Sequence, residues 1–203
     1  MCKLIFSHLL SHSEGTMLKV TSRFLLTDPD LLCSYLAIMA PRTVASDVKS
    51  VMYFFDYLNE WMKVLKENSI PFPRSFDLDF LIKCCDVIIE MDHHVLCNLL
   101  LSFLYNHMRT IAAVPKFRKE LVGERVLKEW FFYLFLHWDS KIRCFFYQLL
   151  VFQVIDLCFL FNFENYFDLY SSRLSTISLR NIPLLSSTTL GYLFGFLYLS
   201  LSF

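Results

Sequence analysis

The sequence predicts an all-α protein, and three observations carry that reading. Apolar residues recur at steps of three and four, polar capping residues and prolines punctuate those stretches, and only 4 glycines and 6 prolines are present among 203 residues. So few turn-formers cannot serve the many tight turns of an all-β fold, whereas 56% hydrophobic residues and 22 phenylalanines are ample for a helical core.

Thr27-Asp28-Pro29 reads as an N-cap followed by proline in the first turn, and the apolar run Leu31 to Met39 stops before Pro41. A second helix starts near Thr43 or Ser46 and places Val48, Val51, Met52, Phe55, Leu58, Met62 and Leu65 on one side. Pro71-Phe72-Pro73 breaks it. Ser75 is placed to cap Phe76 to Met91, with Leu78, Leu81, Cys85, Ile88 and Ile89 inward and Asp77, Lys83, Asp86 and Glu90 wet. Asp92 caps the next helix, whose stripe is Leu96, Leu99, Leu100, Phe103, Leu104, Met108 and Ile111. Pro115 opens a short basic segment, Gly123 separates it from the aromatic run Val126 to Trp138, and Asp139-Ser140 caps a helix from Lys141 onward. Helices of this length with short links form an antiparallel helical bundle or a short armadillo/HEAT-like α-solenoid; no repeat at a fixed period favours the second.

Nineteen basic residues balance 19 acidic ones, so no net positive field attracts nucleic acid. After Arg143 the only charges are Asp156, Glu164, Asp168, Arg173 and Arg180. That shift divides a helical domain, residues 1–163, from an apolar, low-charge segment, 164–203. Seven cysteines, at 2, 33, 84, 85, 97, 144 and 158, follow no regular spacing and suit thiols in a reducing compartment. The opening Met1 to Leu10 is interrupted by Ser7 and His8, which argues against a secretory signal. A cytoplasmic location is expected.

Two stretches raise the question of a membrane. Within Ile142 to Phe163, the residues Gln148, Gln153 and Asp156, together with Lys141 just before it, project within about 140° at ~100° per residue, a stripe that suits a soluble helix. Asn181 to Phe203 carries no charge, and residues 184–203 would rise about 30 Å as a helix, matching the hydrocarbon core. Arg173 and Arg180 would flank its cytoplasmic end, and Gly191/Gly195 has the spacing of packed membrane helices. Its serines and threonines leave only Leu190 to Leu199 densely apolar.

No constellation of residues defines an active site, a cofactor site or a metal site. His93 and His94 are adjacent, and neighbouring helical side chains diverge by ~100°, so they cannot share a metal as an i, i+4 pair can. His8 and His12, with Glu14 nearby, have that spacing, but a catalytic zinc takes about three protein ligands. Cys84-Cys85 is not a C-x-x-C pair and reads as core packing. Phosphate-binding, nucleophile-elbow and H-E-x-x-H motifs are missing. Lys116, Arg118, Lys119, Arg125 and Lys128 are offset by Glu120, Glu124 and Glu129, so this stretch reads as a solvated face.

The words Leu134-Phe135-Leu136-His137-Trp138, followed by Arg143 and Phe146, resemble an uncharacterised eukaryotic helical family, domain of unknown function 1765. Asp92-His93-His94, Leu104-Tyr105-Asn106 and Phe76-Asp77-Leu78 fit the same pattern, over about residues 50–155. The resemblance implies a helical region, usually within a much longer protein, and assigns no activity to any residue. The expectation is therefore a non-enzymatic helical interaction or scaffold protein with a protein partner, Trp61 or Trp130 being candidate anchors. The alternative is a membrane protein anchored by a C-terminal transmembrane helix, and a metal-dependent enzyme using His8, His12 or His93 is a distant third. No oligomeric state follows from the sequence.

Overall fold

The computed structural model describes residues 17–160, Ala45 excepted. Among them there is no strand, and the helices pack into one all-α fold. His8, His12, Glu14, the 163/164 boundary and the candidate membrane helix 184–203 lie outside the described residues.

The order is α1 (17–27), α2 (Leu31–Met39) with a 3-10 turn (Ala40–Arg42), α3 (Val48–Glu67), α4 (Leu78–Glu90) and α5 (His94–Ala112). Then come α6 (Pro115–Arg118), π-helical turns (Lys119–Glu129), α7 (Phe131–Phe135), α8 (Ser140–Leu149), a second π-helical turn (Leu150–Val154) and α9 (Ile155–Leu160). α5 is the hub. α8 and α3 make its most extensive contacts, and α4, α6 and the π-helical turns also pack on it. Asp86 of α4 ties α4 to the π-helical turns by accepting from the Trp130 indole N–H (2.8 Å) and pairing with Arg125 (3.5 Å). With α5 central, the helices keep one continuous apolar core.

The stripes on α3, α4 and α5 point inward largely as expected. Val51, Phe55, Leu58, Met62 and Leu65 of α3 are buried, as are all five residues expected from α4. Met52 is a correction: it is exposed, and the buried face of α3 extends to the opposite flank instead, through Phe54 and Trp61. Several caps sit within one turn of helix of their expected places. Asp47 caps α3 by accepting from Lys49 N–H (3.1 Å), in place of Thr43 or Ser46. Asp77 caps α4 by accepting from Phe80 N–H (2.9 Å), while Ser75 donates to Asp30 at the start of α2. A carboxylate is the stronger acceptor facing the N-terminal end of a helix dipole, and it prevails over the nearby hydroxyls. Asp139 caps α8 as expected, accepting from Lys141 N–H (2.8 Å).

α3 ends in a Schellman motif. Ile70 N–H reaches Leu65 O (2.9 Å), Ser69 N–H reaches Lys66 O (3.1 Å), and Ser69 has φ 55°. Left-handed backbone costs an L-residue with a Cβ about 1 kcal/mol and glycine almost nothing. Ser69→Gly is therefore expected to stabilise the fold by about 1 kcal/mol, read as a higher midpoint in urea unfolding; an unchanged or lower midpoint contradicts it.

Gly123 does not break the helix as expected. The chain runs through it with hydrogen bonds that close on the fifth residue, as at Trp130 N–H to Arg125 O (2.8 Å). Residues five apart diverge by ~140° on an α-helix. The wider winding brings them together, so Leu121 and Val126, and Val122 and Leu127, are buried as pairs. The charged residues of this stretch pair with each other, Lys128 with Glu124 (2.6 Å) and Arg125 with Glu129, although Arg118 is buried.

The aromatic run packs in the interior. Phe131 stacks on Phe135 (5.1 Å) and meets Phe146 edge-on, and Tyr147 contacts Phe135 (4.6 Å) while donating its hydroxyl proton to Phe135 O (3.0 Å). Among the described residues no helix is long and apolar enough to cross a membrane. Asp156 of the stretch from Ile142 pairs instead with Arg109 of α5.

Candidate functional site

The short link between α4 and α5 brings two distant pieces of sequence together. Asp92 follows the last turn of α4 in left-handed backbone, with φ 51°, a conformation that aspartate tolerates better than most residues. This aims its carboxylate at the corner between α7 and α8. His137 Nε2–H donates to Asp92 Oδ1 (2.6 Å), and Trp138 Nε1–H donates to Oδ2 (2.9 Å). The Nδ1 of His137 accepts from Asp139 N–H (3.0 Å), which leaves the ring proton on Nε2. Arg143 of α8 closes the corner by donating to the carbonyls of His137 and Trp138 (3.0 Å to the latter).

Desolvation pushes the Asp92 carboxyl up, but the hydrogen bonds from Trp138 and His137, the His137 ring and the Tyr133 hydroxyl outweigh it, so the group titrates below its usual range. Asp92 is thus a carboxylate with both oxygens engaged. His137 is buried, and both its ring nitrogens are engaged too. An acid–base histidine needs one nitrogen turned toward a nucleophile or substrate. Here the backbone holds that nitrogen, so the Asp92–His137 pair joins two helix corners and does not activate a third group.

This arrangement corrects three sequence expectations. Asp92 does not cap α5; the N-cap is His93, which makes no side-chain cap bond, because the Asp92 carboxylate is turned to the α7–α8 corner. His93 and His94 do not diverge. His93 has extended backbone, so its ring stacks on that of His94 at 5.2 Å. Trp61 and Trp130 are not surface anchors. Both are buried, since each indole N–H finds an internal acceptor, Thr21 Oγ1 (3.0 Å) and Asp86 (2.8 Å) respectively. The exposed indole is that of Trp138, at 66%.

Cys84 and Cys85 lie half-buried and buried on α4. Burial pushes the Cys84 thiol up to about 11 and the Cys85 thiol well above its ordinary value, so neither is a ready thiolate. Among the described residues no group of three His, Cys, Asp or Glu side chains is placed to hold a metal ion.

Sequence reasoning missed two features. One is the joining of Asp92 to His137 and Trp138, residues more than forty positions apart. The other is His107, buried in α5 with Nε2 on Asn59 Oδ1 of α3 (2.9 Å). Its signal was present in the periodicity, because position 107 continues the stripe through Leu100, Phe103, Leu104 and Met108.

The fold and site define an all-α protein whose most elaborate polar arrangement is a clamp between helix corners. The chain belongs to the family described as protein of unknown function (DUF1765), whose profile matches residues 32–154, more than half the chain. The match reaches back to α2, beyond the region that carries the sequence resemblance. Three of the family-like words, Asp92-His93-His94, the run ending His137-Trp138, and Arg143, meet in the clamp. No curated protein and no solved structure matches the chain.

Proposed function

We propose that this helical domain is a non-enzymatic protein-interaction module, with the ridge around Trp138 as its contact surface. The observation that carries the reading is an indole 66% exposed to solvent and yet fixed in place, its N–H on Asp92 and its ring stacked on buried His137 at 5.4 Å. An aromatic anchor held before binding loses little side-chain freedom when a partner covers it. Tyr133, Leu136 and Val95 are also exposed, and each lies on an element that meets at the clamp. A protein suits this surface better than nucleic acid, because in the densest basic stretch Arg125 and Lys128 pair with neighbouring glutamates and Arg118 is buried. The free cysteines among the described residues suit a reducing compartment, so the cytoplasm is the proposed location.

The test is a quantitative affinity comparison of the full chain with Trp138→Ala and with Phe152→Ala, which removes an exposed aromatic ring on another part of the surface. A specific partner should bind Trp138→Ala at least about tenfold more weakly and Phe152→Ala unchanged. A partner equally indifferent to both variants, or a catalytic turnover abolished by His137→Gln, overturns the proposal.

A further inference from the structure

A cleft of about 380 Å³ opens between α3 and α4, with Ala40 and Pro41 of the 3-10 turn forming a third wall. Its lining is almost wholly apolar, with Val51 and Phe54 from α3 and Phe80, Val87 and Met91 from α4. Only three lining residues carry polar side-chain atoms, and they differ in what they offer a ligand. Thr43 already donates its hydroxyl proton to Met39 O (3.1 Å). The Cys84 thiol is held protonated by burial and carries no charge. Lys83 is exposed and makes no ion pair among the described residues. The cleft thus combines an apolar interior with one uncommitted positive charge.

Small-molecule sites have this make-up: a volume of roughly 300–1,000 Å³, a mainly apolar lining and a few polar groups that orient the ligand. We infer that the cleft binds a small amphiphilic monoanion, its apolar tail lying between α3 and α4 and its carboxylate meeting the Lys83 ammonium. Charge complementarity selects an anion over a cation or a neutral head group. The volume, within the small-ligand range, favours a tail over a docked helix. Val87 and Met91, both exposed, form the mouth. No clamp residue lines the cleft, although Met91 directly precedes Asp92, and different variants read the two proposals.

Titration calorimetry on the full chain tests this with dodecanoate, below its micelle concentration, and with 1-dodecanol. Dodecanoate should bind saturably at one site. Lys83→Met should weaken dodecanoate about five- to tenfold and leave dodecanol unchanged, and Val87→Trp, which fills the mouth from an exposed position, should remove both. Circular dichroism confirms that each variant is folded. Absence of saturable dodecanoate binding overturns the proposal, as does an equal effect of Lys83→Met on acid and alcohol. Tighter binding to anionic phospholipid vesicles than to free dodecanoate, sensitive to Lys83→Met, assigns the cleft to a membrane surface and overturns it. So does a polypeptide or a second copy of the chain whose binding is lost in Val87→Trp but is not displaced by dodecanoate.

Discussion

Replacing Asp92 by alanine is expected to lower the unfolding free energy by about 2 kcal/mol, combining a donor that loses its partner with left-handed backbone on a β-carbon residue that has no compensating side chain. His137 is the reason the loss is large. It is 4% exposed, and its Nε2–H has Asp92 Oδ1 as its partner, although the Asp92 side chain is half-exposed, so water entering from that side replaces part of the lost acceptor. Trp138 loses less, since its exposed indole N–H can turn to solvent. Asp92→Asn separates the contributions. Asparagine tolerates the same backbone and keeps one side-chain carbonyl, but its amide cannot accept a hydrogen bond, and a loss of about 1 kcal/mol is expected. Urea unfolding followed by far-ultraviolet circular dichroism measures both, and an Asp92→Ala midpoint equal to that of the parent would show that the clamp contributes nothing.

The Asp92 carboxyl also sets a direction with pH. Its folded pKa lies below the ordinary value of 3.8, so the clamp's contribution is present above that value and fades as pH falls through the folded one. This places its titration in strong acid, clear of the histidine range.

How much of the fold was legible depended on how local its causes are. The α3, α4 and α5 stripes could be read because burial on one side of a helix leaves a period of three and four in the sequence, and Leu58, Leu81 and Leu104 are all buried where that period puts them. Cap positions were readable to within one turn of helix, since Thr43, Ser46 and Asp47 are all competent and only the folded backbone chooses between them. The π-helical turns were not readable, because glycine at 123 suggests a break whereas the packing of Leu121 with Val126 rewards a wider helix. The Trp61 and Trp130 indoles could not be placed either. Their acceptors, Thr21 and Asp86, are some forty residues away, and without those acceptors a tryptophan on a helix looks equally suited to the surface. The clamp shows both sides of this limit. The family-like words marked the right residues, but only the fold shows that the words touch, and that contact turns a candidate helix cap and two aromatic residues with no assigned role into one site.

His107 carries the other large effect. Burial, with the Lys66 ammonium adding to it, pushes its pKa down to about 4, so the folded protein holds the ring neutral at physiological pH. The geometry agrees: Nε2–H donates to Asn59 Oδ1, while Nδ1 is buried with no hydrogen-bond partner, and an imidazolium would have to leave a proton there unsatisfied. In the unfolded chain the ring titrates at its ordinary 6.5. Between these values the unfolded state binds the extra proton, so stability is full above about pH 6.5, declines as pH falls, and levels off below about 4. The whole decline attributable to this one ring is about 3 kcal/mol, from 1.36 kcal/mol per pKa unit. His107→Gln keeps a donor for Asn59 but cannot take up a proton. Its unfolding free energy should be lower than the parent's at pH 7 by about 1 kcal/mol, through poorer packing against Phe103, which the ring meets at 5.1 Å. By pH 4 the order should reverse, because only the parent has lost the histidine contribution. Unfolding curves from pH 7 to pH 4 that run parallel for the two proteins would show that His107 takes up its proton in the folded state at the same pH as in the unfolded chain, and would require an acceptor for Nδ1–H that the helices packed around it do not provide.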